Sequence, residues 1–175
     1  ALDWAKAFDS VSPEGLERAL LRFGIPDGFV DMARPIYTDR RFVVKDAGKT
    51  SARHQQQFGI SQGCPLSPFL FVILMTVMLT DAKDELARQG RPLSSSCLAN
   101  DLVYADDTLL IDVDEENVGC FMDCVGKIGS EYGLCFSWSK LEALPVNTSA
   151  NIHKPDGGFV KVRENMKYLG SLLST

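Results

Sequence analysis

The chain has too few histidines for an imidazole metal site: two in 175 residues, and none near the Cys120–Cys124 pair at metal-ligand spacing. It also lacks a basic surplus. Lys and Arg total 18 against 23 Asp and Glu, a net charge of −5, which argues against a free-standing nucleic-acid binder. No secretory leader opens the sequence, and the five cysteines read as reduced thiols in an intracellular protein. Cys120 and Cys124, one helical turn apart, read as small buried apolar residues. A membrane span is missing too, because the longest uncharged run, 64–80, is short for one and is broken by Pro65 and Pro68.

What is present suits one globular domain. The hydrophobic share of 45% is enough for a core. The opening "ALDWAKAFD" is strand-like and uncapped, so further sequence carrying basic surfaces is expected outside this chain. Ser12 and Pro13 predict a helix running to Gly24. Asp27 is expected to cap a second, shorter helix that Pro35 kinks or ends. "RRFVVKD" and "SARHQQQF", separated by residues 47–50, predict a β-hairpin, and "GISQGCPLSP" a loop into a long helix over 66–87. After the polar, disordered-looking "RQGRPLSSS", two apolar segments, "CLANDLVY" and "TLLIDV", flank an acidic pair. Asp114 predicts a helix cap and Gly133 its stop; the strands "LCFSW", "EALPV", "GFVKV" and "MKYLGSLL" follow. The expected class is α+β, an antiparallel sheet with helices on one face and no internal linker.

The acidic pair is Asp106–Asp107, within "YADD" in an apolar run that predicts a buried strand. At a hairpin turn, two adjacent carboxylates cost repulsion and desolvation unless a cation neutralises them. Oxygen ligands without His or Cys point to Mg²⁺ or Mn²⁺. Asp3, at the end of an apolar strand, is a third acid that a neighbouring strand could bring to the turn. Three such carboxylates suit a two-metal site for phosphoryl displacement, and the spacing alone leaves polymerase and metal-dependent hydrolase both open.

"LDWAKAFDSV", "GISQGCPLSPFLF", "YADDTLLI", "GLCFSWSK" and "MKYLGSLL" occur in this order and resemble five successive motifs of reverse transcriptases of the non-LTR, LINE type. The resemblance covers nearly the whole chain. It implies a polymerase palm, residues 1–175 of a larger polyprotein, that extends a DNA primer on an RNA template from deoxynucleoside triphosphates. Fingers, thumb and an endonuclease region would lie in flanking sequence, so the fragment alone is expected to be inactive. Carried over, Asp3 and Asp106 are the principal metal ligands and Asp107 the third acid. Trp4 lends a backbone carbonyl, so its side chain need not matter. Phe8, after the small Ala7, is the steric gate against a 2′-hydroxyl. Gln62 and Gly63 lie against the nucleotide and template base, and Lys140 near the pyrophosphate. Tyr168, Leu169 and Gly170 form the primer-grip turn, and Tyr104 packs beside the acidic hairpin. The chain departs from the pattern at Ser61, where a basic residue is frequent, and at Val72, Cys135, Ser137 and Leu141. A group II intron-type maturase and a decayed or domesticated remnant acting as a binding module remain alternatives.

Overall fold

The computed structural model describes residues 1–175 apart from Pro92, Ser95, Ser96 and Leu98. The polar stretch 88–96 and the start of the expected strand at Cys97 therefore lie partly outside the described residues.

A strand-like segment at residues 2–4 leads into the short helix α1 (Ala7–Ser10), which the sequence did not announce. Helix α2 (Pro13–Phe23) starts as expected: Ser12 Oγ accepts from Gly15 N–H at 3.0 Å, Pro13 spends no donor, and Gly24, at φ 91°, ends it. Helix α3 (Asp27–Tyr37) is as long as α2. Its cap position is Pro26, and Asp27 is the first helical residue with no capping bond. Pro35 sits inside the helix without ending it on the spot. Its missing donor falls in the last turn, and Thr38 N–H closes that turn onto Arg34 O at 3.0 Å.

The expected hairpin is present in two sections. Strand β1 (Arg40–Phe42) pairs with β4 (His54–Gln56), and β2 (Lys45–Asp46) pairs with β3 (Lys49–Thr50). The tight turn is Ala47–Gly48, both at positive φ, which matches the twist of a two-residue hairpin. Helix α4 (Ser67–Arg88) is apolar on nearly all sides because it is the centre of the molecule, lying against α2 and against α5 (Glu115–Glu131). Leu70, Phe71, Leu74, Met75, Met78, Ala82 and Leu86 of α4 are buried, as are Leu16 and Leu20 of α2 and Phe121, Cys124 and Val125 of α5. Asp114 caps α5 through Glu116 N–H at 2.9 Å.

The β layer consists of short pairs. Strand β5 (Asp101–Tyr104) pairs with β6 (Asp107–Leu110), and β7 (Glu142–Ala143) pairs in parallel with β8 (Lys161–Val162). "MKYLGSLL" is two strands, β9 (Asn165–Tyr168) and β10 (Ser171–Ser174), because Leu169 and Gly170, at φ 48° and 81°, reverse the chain between them. "LCFSW" contributes only the bridge between Phe136 and Trp4. The class is α+β, with the strands distributed over small sheets. All five cysteines are free thiols; Cys124 is buried and Cys120 half-buried. Among the described residues, no helix is long and apolar enough to cross a membrane.

Candidate active site

The acids come together through backbone pairing. Leu2 bridges Thr108, its N–H donating to Thr108 O at 2.8 Å. In the antiparallel sense of that isolated bridge, the residue that follows Leu2, Asp3, runs toward the Asp107 end of the neighbouring strand. Asp107 opens β6 opposite Tyr104, so the turn itself is Ala105–Asp106, with Ala105 at φ 55°. A non-glycine residue at positive φ is uncommon, and here it is the requirement of reversing a two-residue hairpin. Lys83 Nζ, 2.5 Å from Asp101 Oδ1, ties the base of the hairpin to α4.

The hairpin is not the buried element its apolar residues suggest. Leu102, Val103 and Tyr104 are exposed, and of residues 101–110 only Thr108, where the segment at Leu2 pairs with the hairpin, is buried. Asp106 and Asp107 are therefore exposed, and Tyr104, 67% exposed, projects from the hairpin instead of packing beside it.

Asp3 is in a different environment. Its Oδ1 is buried without a hydrogen-bond partner, and Lys140 Nζ lies 3.3 Å from it. A buried carboxylate oxygen facing an ammonium suits a cation, and the all-carboxylate donor set suits a hard divalent one. Among the described residues no group of three or more His, Cys, Asp or Glu side chains is placed to hold a metal ion as the structure stands.

Trp4 corrects an expectation. Its indole is buried, packs on Phe136 at a centroid distance of 4.6 Å, and donates from Nε1 to Thr108 Oγ1 at 3.3 Å. A Cβ at Gly129 would lie 3.0 Å from the indole, so that helix position accommodates it closely. The side chain thus locks the Asp3 segment to the acidic hairpin. The Trp4–Phe136 bridge is closed by Ala5 N–H to Cys135 O and Ser137 N–H to Asp3 O, both 2.8 Å, which leaves the Trp4 carbonyl outside that bridge.

Ala7 is buried at the start of α1, and the half-buried Phe8 ring stacks on Phe71 with centroids 4.4 Å apart. The loop bearing Gln62 and Gly63 docks on this segment through Gly59 N–H to Val11 O and Ile60 N–H to Phe8 O, each 2.7 Å. Gly59 is required there: φ is +92°, and a Cβ would lie 2.9 Å from Asp9 Cα. Gln62 is exposed and reaches Asp9 Oδ1 at 3.5 Å; Gly63, at φ +86°, has open space around it.

Arg40 has no signal in local sequence. From β1 its Nη1 donates to Ser61 Oγ at 2.7 Å, and Nη2 donates to the carbonyls of Phe58 and Gly59. The guanidinium thus stands beside the residue that precedes Gln62–Gly63, at the point where the resemblance leads one to expect a basic side chain and the sequence has Ser61. That substitution was the available clue.

The turn at Leu169–Gly170 is joined to the acidic hairpin by Tyr168, whose Oη donates to Leu102 O at 3.0 Å. Burial, and then the negative charge of Asp107, push the Tyr168 phenol up from its ordinary range. The structure thus brings Asp3, Asp106, Asp107, Lys140 and Tyr168 to one neighbourhood, and ties Phe8, Gln62 and Gly63 to a second segment that leads from Asp3.

The family model described as "Reverse transcriptase (RNA-dependent DNA polymerase)" matches residues 1–173. The chain is 37% identical over 120 residues to "Retrovirus-related Pol polyprotein from type-1 retrotransposable element R2" of Popillia japonica, covering 67% of this chain and 20% of that protein. It is 34% identical over 110 residues to the polyprotein of type-2 retrotransposable element R2DM of Drosophila melanogaster, 62% of this chain and 10% of that one. A third relative, "Transposon TX1 uncharacterized 149 kDa protein" of Xenopus laevis, is 27% identical over 145 residues and 11% covered. The chain spans a tenth to a fifth of the length of these three relatives.

Proposed function

The chain belongs to the reverse transcriptase family, and from that premise we propose that it is the palm of a retrotransposon RNA-directed DNA polymerase, adding deoxynucleotides to a DNA primer on an RNA template. The observation that supports the reading is the Leu2–Thr108 bridge, which joins the segment carrying Asp3 to the hairpin whose turn carries Asp106 and Asp107. The R2 relatives favour a retrotransposon over a maturase.

Asp3, Asp106 and Asp107 would hold Mg²⁺ or Mn²⁺, which when bound supplies activation of the primer hydroxyl and stabilisation of the leaving oxygen. The protein's own contribution is positioning. Lys140, the cation now nearest Asp3, holds a proton at Nζ where pyrophosphate would leave. Phe8, braced by Phe71, fills the space a 2′-hydroxyl would need. Gln62 and Gly63 border the nucleotide and template base, Tyr104 offers an exposed ring at the hairpin, and Tyr168, Leu169 and Gly170 hold the primer end. Fingers, thumb and endonuclease regions of a parent polyprotein would supply the remaining grip on phosphates, and the isolated palm would then extend primers poorly because positioning dominates phosphoryl transfer.

Calorimetric titration with Mn²⁺ tests the reading. The wild-type chain should bind weakly, Asp106→Asn with Asp107→Asn should abolish binding, and Lys140→Met, which removes a competing cation, should tighten it. Equal metal heats in wild type and the double variant would defeat the assignment.

A further inference from the structure

Charge is distributed unevenly along the chain. Residues 39–57 carry five cations, Arg40, Arg41, Lys45, Lys49 and Arg53, against two carboxylates, Asp39 and Asp46; this net +3 leaves −8 on the rest of the chain. These residues are the two-section hairpin β1 to β4. Arg41 is held by Asp39 at 3.6 Å, while Lys45, Lys49 and Arg53 make no ion pair among the described residues. All three are exposed. A cross-strand aromatic pair, Phe42 and His54, lies on the same ribbon with centroids 5.5 Å apart; Phe42 is 46% exposed and His54 is exposed too.

We propose that this hairpin is a binding surface for a single strand of nucleic acid, the template strand on its way to the site. Three features point to that occupant. Unpaired cations on an otherwise acidic protein complement a phosphodiester backbone. Exposed rings beside those cations offer the stacking that unpaired bases provide and a duplex withholds. The ribbon is also continuous with the candidate site, since Arg40 of β1 bonds to Phe58, Gly59 and Ser61 in the loop that carries Gln62 and Gly63. A strand laid along the hairpin is led to those two residues. The binding surface extends the polymerase reading but does not depend on the metal site.

The test is fluorescence anisotropy of a short unstructured RNA with the whole chain, in chelator, over about 0.05 to 0.2 M salt. Lys45→Gln, Lys49→Gln and Arg53→Gln together should flatten the slope of log K against log salt by about 2, because each single-strand phosphate contact contributes about 0.7. Phe42→Ala with His54→Ala should weaken binding about 5- to 100-fold at unchanged slope, as loss of stacking does. All five side chains are on an exposed ribbon, so the melting temperature should hardly move in either variant. Unchanged slope in the triple variant, tighter binding of duplex than of single strand, or binding of the same sequence only as DNA would each overturn the proposal. Loss of metal binding in the acidic-pair variant with RNA binding intact would support it, since the two functions use different residues.

Discussion

Thr108→Val removes the side-chain contact between the acidic hairpin and the Asp3 segment, together with a longer bond of 3.4 Å from Thr108 Oγ1 to Asp106 O within the hairpin. Valine keeps the shape of threonine but cannot accept, so the Trp4 indole N–H is left buried without its Thr108 partner; Trp4 is 5% and Thr108 1% exposed. Stranding a buried donor costs about 1–3 kcal/mol. The 3.3 Å separation is longer than an ideal hydrogen bond, which puts the expected loss at about 1–2 kcal/mol. For a domain of this size that is a fall of about 2–8 °C in melting temperature. The control is a double-mutant cycle with Trp4→Phe, which removes the donor itself. In that background Thr108→Val should cost clearly less, only the long bond to Asp106 O being lost, which leaves a coupling of about 1 kcal/mol. Hydrogen exchange adds a local readout, because the Leu2 amide donates to Thr108 O and should lose protection in the single variant. Equal destabilisation by Thr108→Val in both backgrounds would refute the reasoning, since the hydroxyl would then matter for something other than the indole.

Phe8→Val, in a chimaera that carries this chain in place of the matching segment of a retrotransposon polyprotein, should raise ribonucleotide use relative to deoxyribonucleotide use by about 10²- to 10³-fold in kcat/KM, as expected for relief of a 3–4 kcal/mol clash. An unchanged ratio with a lowered melting temperature would leave only the stack on Phe71. Alkaline stability follows from three phenols, Tyr37, Tyr132 and Tyr168, all pushed up chiefly by burial. The fold favours their neutral forms, so that stability is intact below the ordinary tyrosine range and is lost as pH rises through it. The melting temperature should therefore fall above about pH 10, and a flat profile there would contradict the direction of the shifts.

The helices were legible because their signals are local. Ser12 with Pro13, Gly24, Asp114 and Gly133 mark ends by chemistry that needs no tertiary context. Pro35 misled because a missing donor costs little in a last turn. The β layer was harder to read, since strands of two to four residues carry too little alternation to show pairing or their own reversal, as at Leu169–Gly170. In the site, the acids and the order of motifs stood out in sequence. The locking role of Trp4, the buried oxygen of Asp3 that faces Lys140 and the Arg40 clamp did not. Each depends on partners far away in the chain: Thr108 for Trp4, Lys140 for Asp3, Ser61 for Arg40. The exposure of the acidic hairpin was hidden for a related reason, because residue type reports apolarity and not whether anything covers it.

In the proposed polymerase site, Asp3 and the Asp106–Asp107 turn would share a metal. Fe²⁺ bound in place of Mg²⁺, with ascorbate and peroxide, cuts the backbone next to its ligands, and mass spectrometry locates the cuts. Cleavage is expected at both the Asp3 and the Asp106–Asp107 segments, competed away by Mg²⁺ and lost at both in Asp106→Asn with Asp107→Asn. Cleavage at one segment alone, or at both with the acidic pair replaced, would contradict the shared metal.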